Sequence, residues 1–398
     1  MIMIFDAQIL RRVLTRCALM SLACLTMANI ASAQTESLLY DFCSLSSCTD
    51  GQYPEVQLIE DPQGNFYGTT YEGGAHNGGT VFQLSPSGAF TVLYSFGAST
   101  TDGTGPVGTL VRDAKGNLYG VTASGGAYRS GAVFKITSGG VESIVHSFGA
   151  NGSDGLYPTS GLVMDGHGNI YGTTAYGGKG FGAGTAYKVS PQGTYAILHY
   201  FVGGGDGLRP MAPLALDQQG NLYGTTELGG AFGEGSIFRI TGGTESVLHS
   251  FSATGAAKAD GVFPEGGLVV DAQGNLYGTT YDGGAFHTGV VFKLSPEGTE
   301  TVLHSFGGNG DGIHTQAGLI IDGNCNLYGT SFQGGAFGAG IVYKLDSAGN
   351  ETILHSFGSG TDGTYPHAGL LMDSAGNLYG TTEQGGTNNG GTVFEVTP

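Results

Sequence analysis

Residues 267–306 read GLVVDAQGNLYGTTYDGGAFHTGVVFKLSPEGTETVLHSF. Four short runs here are rich in Val, Leu, Tyr, Phe and Thr, the residues that pleated strands prefer. We name them A (267–271, GLVVD), B (275–280, NLYGTT), C (290–294, VVFKL) and D (301–306, TVLHSF). The spacers are turn material. Asp271–Asn275 joins A to B, with Gly274 for the left-handed position of a tight hairpin. Ser295–Gly298 joins C to D, and a Gly-rich loop over 282–289 joins B to C. An Asp-Gly pair lies between D and the next A.

This unit recurs through the chain. The Tyr of its Asn-x-Tyr-Gly string is Tyr67, Tyr119, Tyr171, Tyr223, Tyr277, Tyr328 and Tyr379, at intervals of 52, 52, 52, 54, 51 and 51. Periods of this size mark propellers or solenoids. The last repeat stops after run C, and its missing run D is found at 37–42 (SLLYDF), far upstream. The pattern predicts an all-β, seven-bladed β-propeller of four-stranded blades. The N-terminal strand completes the last blade, a Velcro closure that leaves only short, protected edges. Residues 34–398 are expected to form this one domain.

Composition narrows the alternatives. Gly accounts for 76 of 398 residues, well over twice the usual ~7%. It lacks the every-third-residue period of collagen, and it argues against helical bundles. The net charge is −18, and the 14 Lys and Arg form no basic stripe, which excludes a nucleic-acid partner.

Residues 1–33 read as a signal peptide. Arg11, Arg12 and Arg16 precede an apolar stretch over 17–30, then Ala31-Ser32-Ala33 offers a cleavage site. Cleavage near Ala33 predicts a secreted, periplasmic or envelope protein with no transmembrane segment in the mature chain. That chain keeps 11 basic and 31 acidic residues, a net of −20. Cys43 and Cys48 are close enough in sequence to form a disulfide in an oxidising compartment. Cys325 lies in a tight turn and reads as incidental.

The repeated GNLYGTT-x-x-GG…VF-x-L…TVLHSF…DG…P-x-x-GL-x-x-D unit resembles the bacterial GloVer tandem-repeat family over essentially all of 36–398. The resemblance implies an exported or envelope-associated protein and no defined reaction. Members often carry a C-terminal anchoring segment, whereas Pro398 directly follows the last run here.

Strand parity places the A–B and C–D hairpins on one face, and the longer B–C and D–A loops on the other. The second face is the default binding face. Three sets of residues there carry chemistry. The Asp-Gly aspartates Asp50, Asp102, Asp154, Asp206, Asp260, Asp311 and Asp362 offer oxygen ligands for Ca²⁺, although Asp-Gly is also an ordinary turn device. Just before run A, one aligned position reads Glu55, Val107, Thr159, Met211, Glu265, Gln316 and His367. Its polar members Glu55, Glu265, Gln316 and His367 come from blades adjacent in a closed ring. They form a channel-mouth group suited to acid–base or metal chemistry. The B–C loops mix Tyr128 and Tyr176 with Glu227, Asp282 and Glu383, which suits a glycan or a peptide. The run-D histidines His146, His199, His249, His304 and His355 lie on separate outer strands and read as structural.

The leading reading is a binding or interaction scaffold taking a protein or glycan on the B–C/D–A face. An enzyme acting on glycans or lactones, lyase- or hydrolase-like, with the channel-mouth group as its acid/base or metal site, is the alternative. A purely structural envelope protein is the third reading.

Overall fold

The structure is a computed structural model that describes residues 35–179, 182–252, 260–308 and 310–398. The signal-peptide reading of 1–33 lies outside these residues. Seven four-stranded antiparallel sheets follow one another as blades in a ring, giving a seven-bladed β-propeller. In the fifth blade, strand B is Leu276–Thr280, C is Val290–Leu294 and D is Glu300–Ser305. Strand A is shorter than its run, pairing only over Val269–Val270. The preceding glycines approach neighbouring A backbones around the axis: a Cβ on Gly318 would lie 3.2 Å from the Gly267 carbonyl. Among the described residues, no helix is long and apolar enough to cross a membrane.

The Asp271–Asn275 turn explains its own motif. Asp271 Oδ1 accepts the backbone N–H groups of Gln273 and Asn275, both at 2.9 Å. Its Oδ2 accepts Asn275 Nδ2 at 2.7 Å and the Tyr277 hydroxyl at 3.1 Å. Asp, Asn and Tyr therefore recur together because they close one hydrogen-bonded hairpin. The next glycine has a different cause. Gly278 pairs with Phe292, and a Cβ on it would lie 2.6 Å from the Phe292 ring.

The core lies between blades. Tyr277, Val291 and Phe306 of the fifth blade pack with Leu319, Leu327 and Tyr343 of the sixth. The Phe ending each strand D meets the aromatic in strand C of the next blade edge-to-face, at 4.9–5.2 Å in all seven seams. Such a pair adds ~0.5–1.5 kcal/mol beyond its area burial.

Closure follows the same rules. Strand Thr35–Asp41 pairs with Thr392–Thr397 as the outermost strand of the seventh blade. Its register shifts between Leu38 and Tyr40, as the other D strands shift at the equivalent place; in the fifth blade Leu303 is the extra residue. Phe42 then meets Phe82 of the first blade at 5.2 Å, completing the ring.

Candidate functional site

The chain returns from each outer strand D to the axis through the segment D-G-x-Z-P, with Thr315 in place of the proline in the sixth, where Z is the residue before that Pro or Thr. That segment delivers the next residues to the channel. All seven aligned positions line one cavity of about 290 Å³: Glu55, Val107, Thr159, Met211, Glu265, Gln316 and His367. The structure thus brings the four polar members to one wall. Gln316 Nε2 donates to Glu265 Oε2 at 2.8 Å. Glu265 is held above the usual carboxylate range by burial, which the Gln316 hydrogen bond opposes and Glu227 and Asp282 reinforce. Burial, then Glu383 and Glu72, push Glu55 up to about 7. Burial pushes the His367 imidazole below its usual range, opposed by Glu383. A carboxyl poised near neutrality is able to act as acid or base, or to accept a ligand's hydrogen bonds.

Two residues before each of these lining positions lies a crown that sequence reasoning missed. Position Z is Tyr53, Gly105, Tyr157, Arg209, Phe263, His314 and Tyr365, with φ between +54° and +61° throughout. Bulky residues rarely adopt positive φ, and a following proline further restricts the backbone. Two backbone bonds hold the conformation. Phe263 donates its N–H to Glu234 of the previous blade at 2.9 Å and accepts from Tyr281 N at 3.0 Å. The side chains of Arg209, His314 and Tyr365 meet residues just after strand B of the preceding blade. His314 stacks on Tyr281 at 4.4 Å, with its Nδ1 3.3 Å from Asp282. Tyr365 packs on Phe332 at 5.1 Å, and Phe332 meets His367 edge-on at 5.8 Å. Arg209 donates to the Tyr176 hydroxyl at 2.6 Å and pairs with Glu227 at 3.3 Å.

The Asp-Gly aspartates sit elsewhere, one in each seam, and do not converge on one another. Each faces the strand-D histidine or tyrosine of the preceding blade: Tyr40–Asp50 at 2.9 Å, Tyr94–Asp102 at 3.2 Å, His146–Asp154 at 3.3 Å, His199–Asp206 at 2.9 Å, His249–Asp260 at 3.2 Å, His304–Asp311 at 3.3 Å and His355–Asp362 at 2.8 Å. The carboxylates also accept backbone N–H groups just beyond the strand, such as Gly97, Gly149 and Gly307. In five seams a glutamate on strand D of the following blade joins them. Burial, then the facing aspartate, raise Glu142, Glu300 and Glu351 to about 7. Three seams bring His, Asp and Glu ligand atoms within 4.8 Å of one another: His199/Asp206/Glu245, His304/Asp311/Glu351 and Glu36/His355/Asp362. These are donor sets able to hold a divalent cation. A disulfide links Cys43 to Cys48 at the start of the first D–A loop.

The sequence profile of the Gloeobacter/Verrucomicrobia repeat matches residues 25–181, 148–331 and 301–398. The chain belongs to that repeat family. No curated protein sequence matches the Gloeobacter/Verrucomicrobia-repeat chain significantly. Its fold is similar to virginiamycin B lyase from Staphylococcus aureus: 13% identity, 92% of this chain and 99% of that one covered, TM-score 0.61. It is also similar to the extracellular domain of a putative hybrid two component system from B. thetaiotaomicron (13%, 92% and 41%, 0.57). A third likeness is to PorZ, a surface component of the type-IX secretion system of Porphyromonas gingivalis (13%, 87% and 46%, 0.53). At these identities the likeness is one of fold. The Gloeobacter/Verrucomicrobia-repeat chain covers under half of the last two proteins.

No sequence signal announced the crown. A Gly or Asn is the ordinary residue at a left-handed position. Six repeats instead place Tyr, Arg, Phe or His before the Pro or Thr that follows Z.

Proposed function

We propose that this protein is exported and works outside the cytoplasm as a binding propeller, taking a glycan at the channel mouth. One observation carries the reading: the cavity wall holds two carboxyls, an amide and an imidazole, and two residues before the lining position five of the seven repeats place an aromatic ring, Tyr53, Tyr157, Phe263, His314 and Tyr365. Aromatic faces suit the apolar faces of sugar rings, and the wall suits their hydroxyls. The cavity is concave and small, unlike the broad surface that a folded protein partner needs. The signal-like residues 1–33 and the Cys43–Cys48 disulfide support export, since such bonds persist in oxidising compartments.

Catalysis on the same glycan is a second reading, favoured by Glu55, whose carboxyl is held near neutrality at the cavity. Thermal shift against a polysaccharide panel tests binding, because a ligand at 100 times its Kd stabilises by ~2.7 kcal/mol. The expected result is a shift with a glycan that the Glu265→Ala/His367→Ala double variant loses. Binding that survives in that variant overturns the reading. Product analysis of the bound glycan separates binding from turnover.

A further inference from the structure

The wall that the seventh and first blades contribute to the mouth is rich in hydrogen-bond acceptors. Glu55 and His367 line the cavity, and the Glu72 and Glu383 carboxylates act on them. Glu72 accepts from Gln52 at 3.0 Å and Glu383 from Gln384 at 3.1 Å. No Lys or Arg pairs with any of these acids among the described residues; elsewhere on the mouth Arg209 is tied to Glu227. Glu55 and His367 are partly exposed to the cavity, and among the described residues no side-chain hydrogen bond ties either of them into the wall. Their acceptor atoms are open to the cavity, so a ligand's donor is able to take the place of water there. Because burial disfavours the imidazolium, His367 offers a lone pair. The same wall carries aromatic rings: Tyr365 on Phe332, with Phe332 edge-on to His367.

An ammonium group matches this wall. It brings three N–H donors and a positive charge, and it is attracted to aromatic faces. We propose that the glycan taken at the mouth is an amino sugar with a free, protonated amine, seated against Glu55, Glu72, Glu383 and His367. A hydroxyl brings one donor and no charge. An N-acetyl group brings one donor, no charge and a methyl that needs an apolar pocket. A sulfated or uronic sugar meets like charge.

This inference rests on the channel-mouth reading, and the test keeps the two apart. Binding of a glucosamine oligomer and of the N-acetylated oligomer of the same length is measured by calorimetry at low ionic strength, near pH ~6.5, and again at ~0.5 M salt. The expected result is at least tenfold tighter binding of the free amine, shrinking at high salt. Glu55→Gln and Glu383→Gln, isosteric changes whose folding is checked by melting, should each lose most of the preference. Equal binding of both oligomers, abolished in Glu265→Ala/His367→Ala, overturns the amine inference and leaves the channel-mouth reading standing. Amine binding untouched by all these variants overturns both. Binding of a Lys-rich peptide with neither oligomer bound overturns the amino-sugar assignment.

Discussion

Replacing the three seam glutamates Glu142, Glu300 and Glu351 by Gln should stabilise the propeller at pH 8 and leave it nearly unchanged at pH 5. Each carboxyl is raised from an ordinary 4.5 to about 7 by burial and by a facing aspartate. Between those values the folded protein binds more protons than the unfolded chain, so stability falls as pH rises through the window. Protonated, Glu351 is neutral beside Asp311; ionised, it repels it. The full displacement corresponds to ~3.4 kcal/mol per group. These groups are only partly buried, and solvent screening reduces that to about 1 kcal/mol each. Gln carries no charge at either pH, so the triple variant should gain about 3 kcal/mol at pH 8. Unfolding entropy of ~2.1 cal/mol/K per residue gives ~0.8 kcal/mol/K for a chain of this length, so the gain is a rise of about 4 °C in Tm. Differential scanning calorimetry at both pH values reads it. An equal shift at pH 5 and pH 8, or a wild-type Tm that climbs from pH 5 to pH 8, refutes the account of the seams.

Phe42→Ala should cost ~3–5 kcal/mol in urea unfolding, as much as Phe306→Ala, because Phe42 is fully buried against Phe82 where the ring closes. A cost below ~1 kcal/mol would show that the N-terminal strand is dispensable. Gly278→Ala should cost ~1–3 kcal/mol by forcing a methyl into the Phe292 ring, measured by the same melt. Tyr157→Gly should weaken glycan binding while changing stability by less than ~0.5 kcal/mol, because relief of the positive φ offsets the lost contacts of a side chain that is 43% exposed. Zn²⁺, whose preferred ligands include imidazole, should raise Tm more than Ca²⁺ if a seam set such as His304/Asp311/Glu351 takes a metal, and His304→Ala should reduce that rise.

The blades were legible because each strand and turn is specified locally and then repeated. Asp271, Asn275 and Tyr277 close one hairpin within seven residues, so the motif appears in the string itself. The closing strand was legible because SLLYDF repeats TVLHSF, and the shared register shift at Leu39 and Leu303 shows the same backbone in both. The seams were not legible. His304 meets Asp311 seven residues on, but Glu351 only in the next repeat, and the same place holds Tyr195 in another seam. The mouth column was visible by alignment, yet the Gln316–Glu265 bond depends on how far two blades converge. The crown was hidden because side-chain identity does not announce φ. Tyr365 reads as an ordinary aromatic until its +61° is seen.

Repetition also indicates where a ligand is to be sought. Each repeat aspartate is engaged by its own seam or hairpin, which ties most of the regular polar residues into the scaffold. The mouth departs from that regularity in a directional way. Blades two to four present Val107, Thr159 and Met211, whereas blades five, six, seven and one present Glu265, Gln316, His367 and Glu55. The crown has its gap on the apolar side: a Cβ on Gly105 would lie 2.9 Å from the ring of Tyr71, which already fills that space. A seven-fold scaffold with a one-sided mouth should therefore bind one ligand per ring, off the axis and against the polar wall. Calorimetric stoichiometry checks this directly. One site per chain fits the mouth, whereas a number approaching seven would place the ligand in the seams or on the loop tips and remove the mouth from the argument.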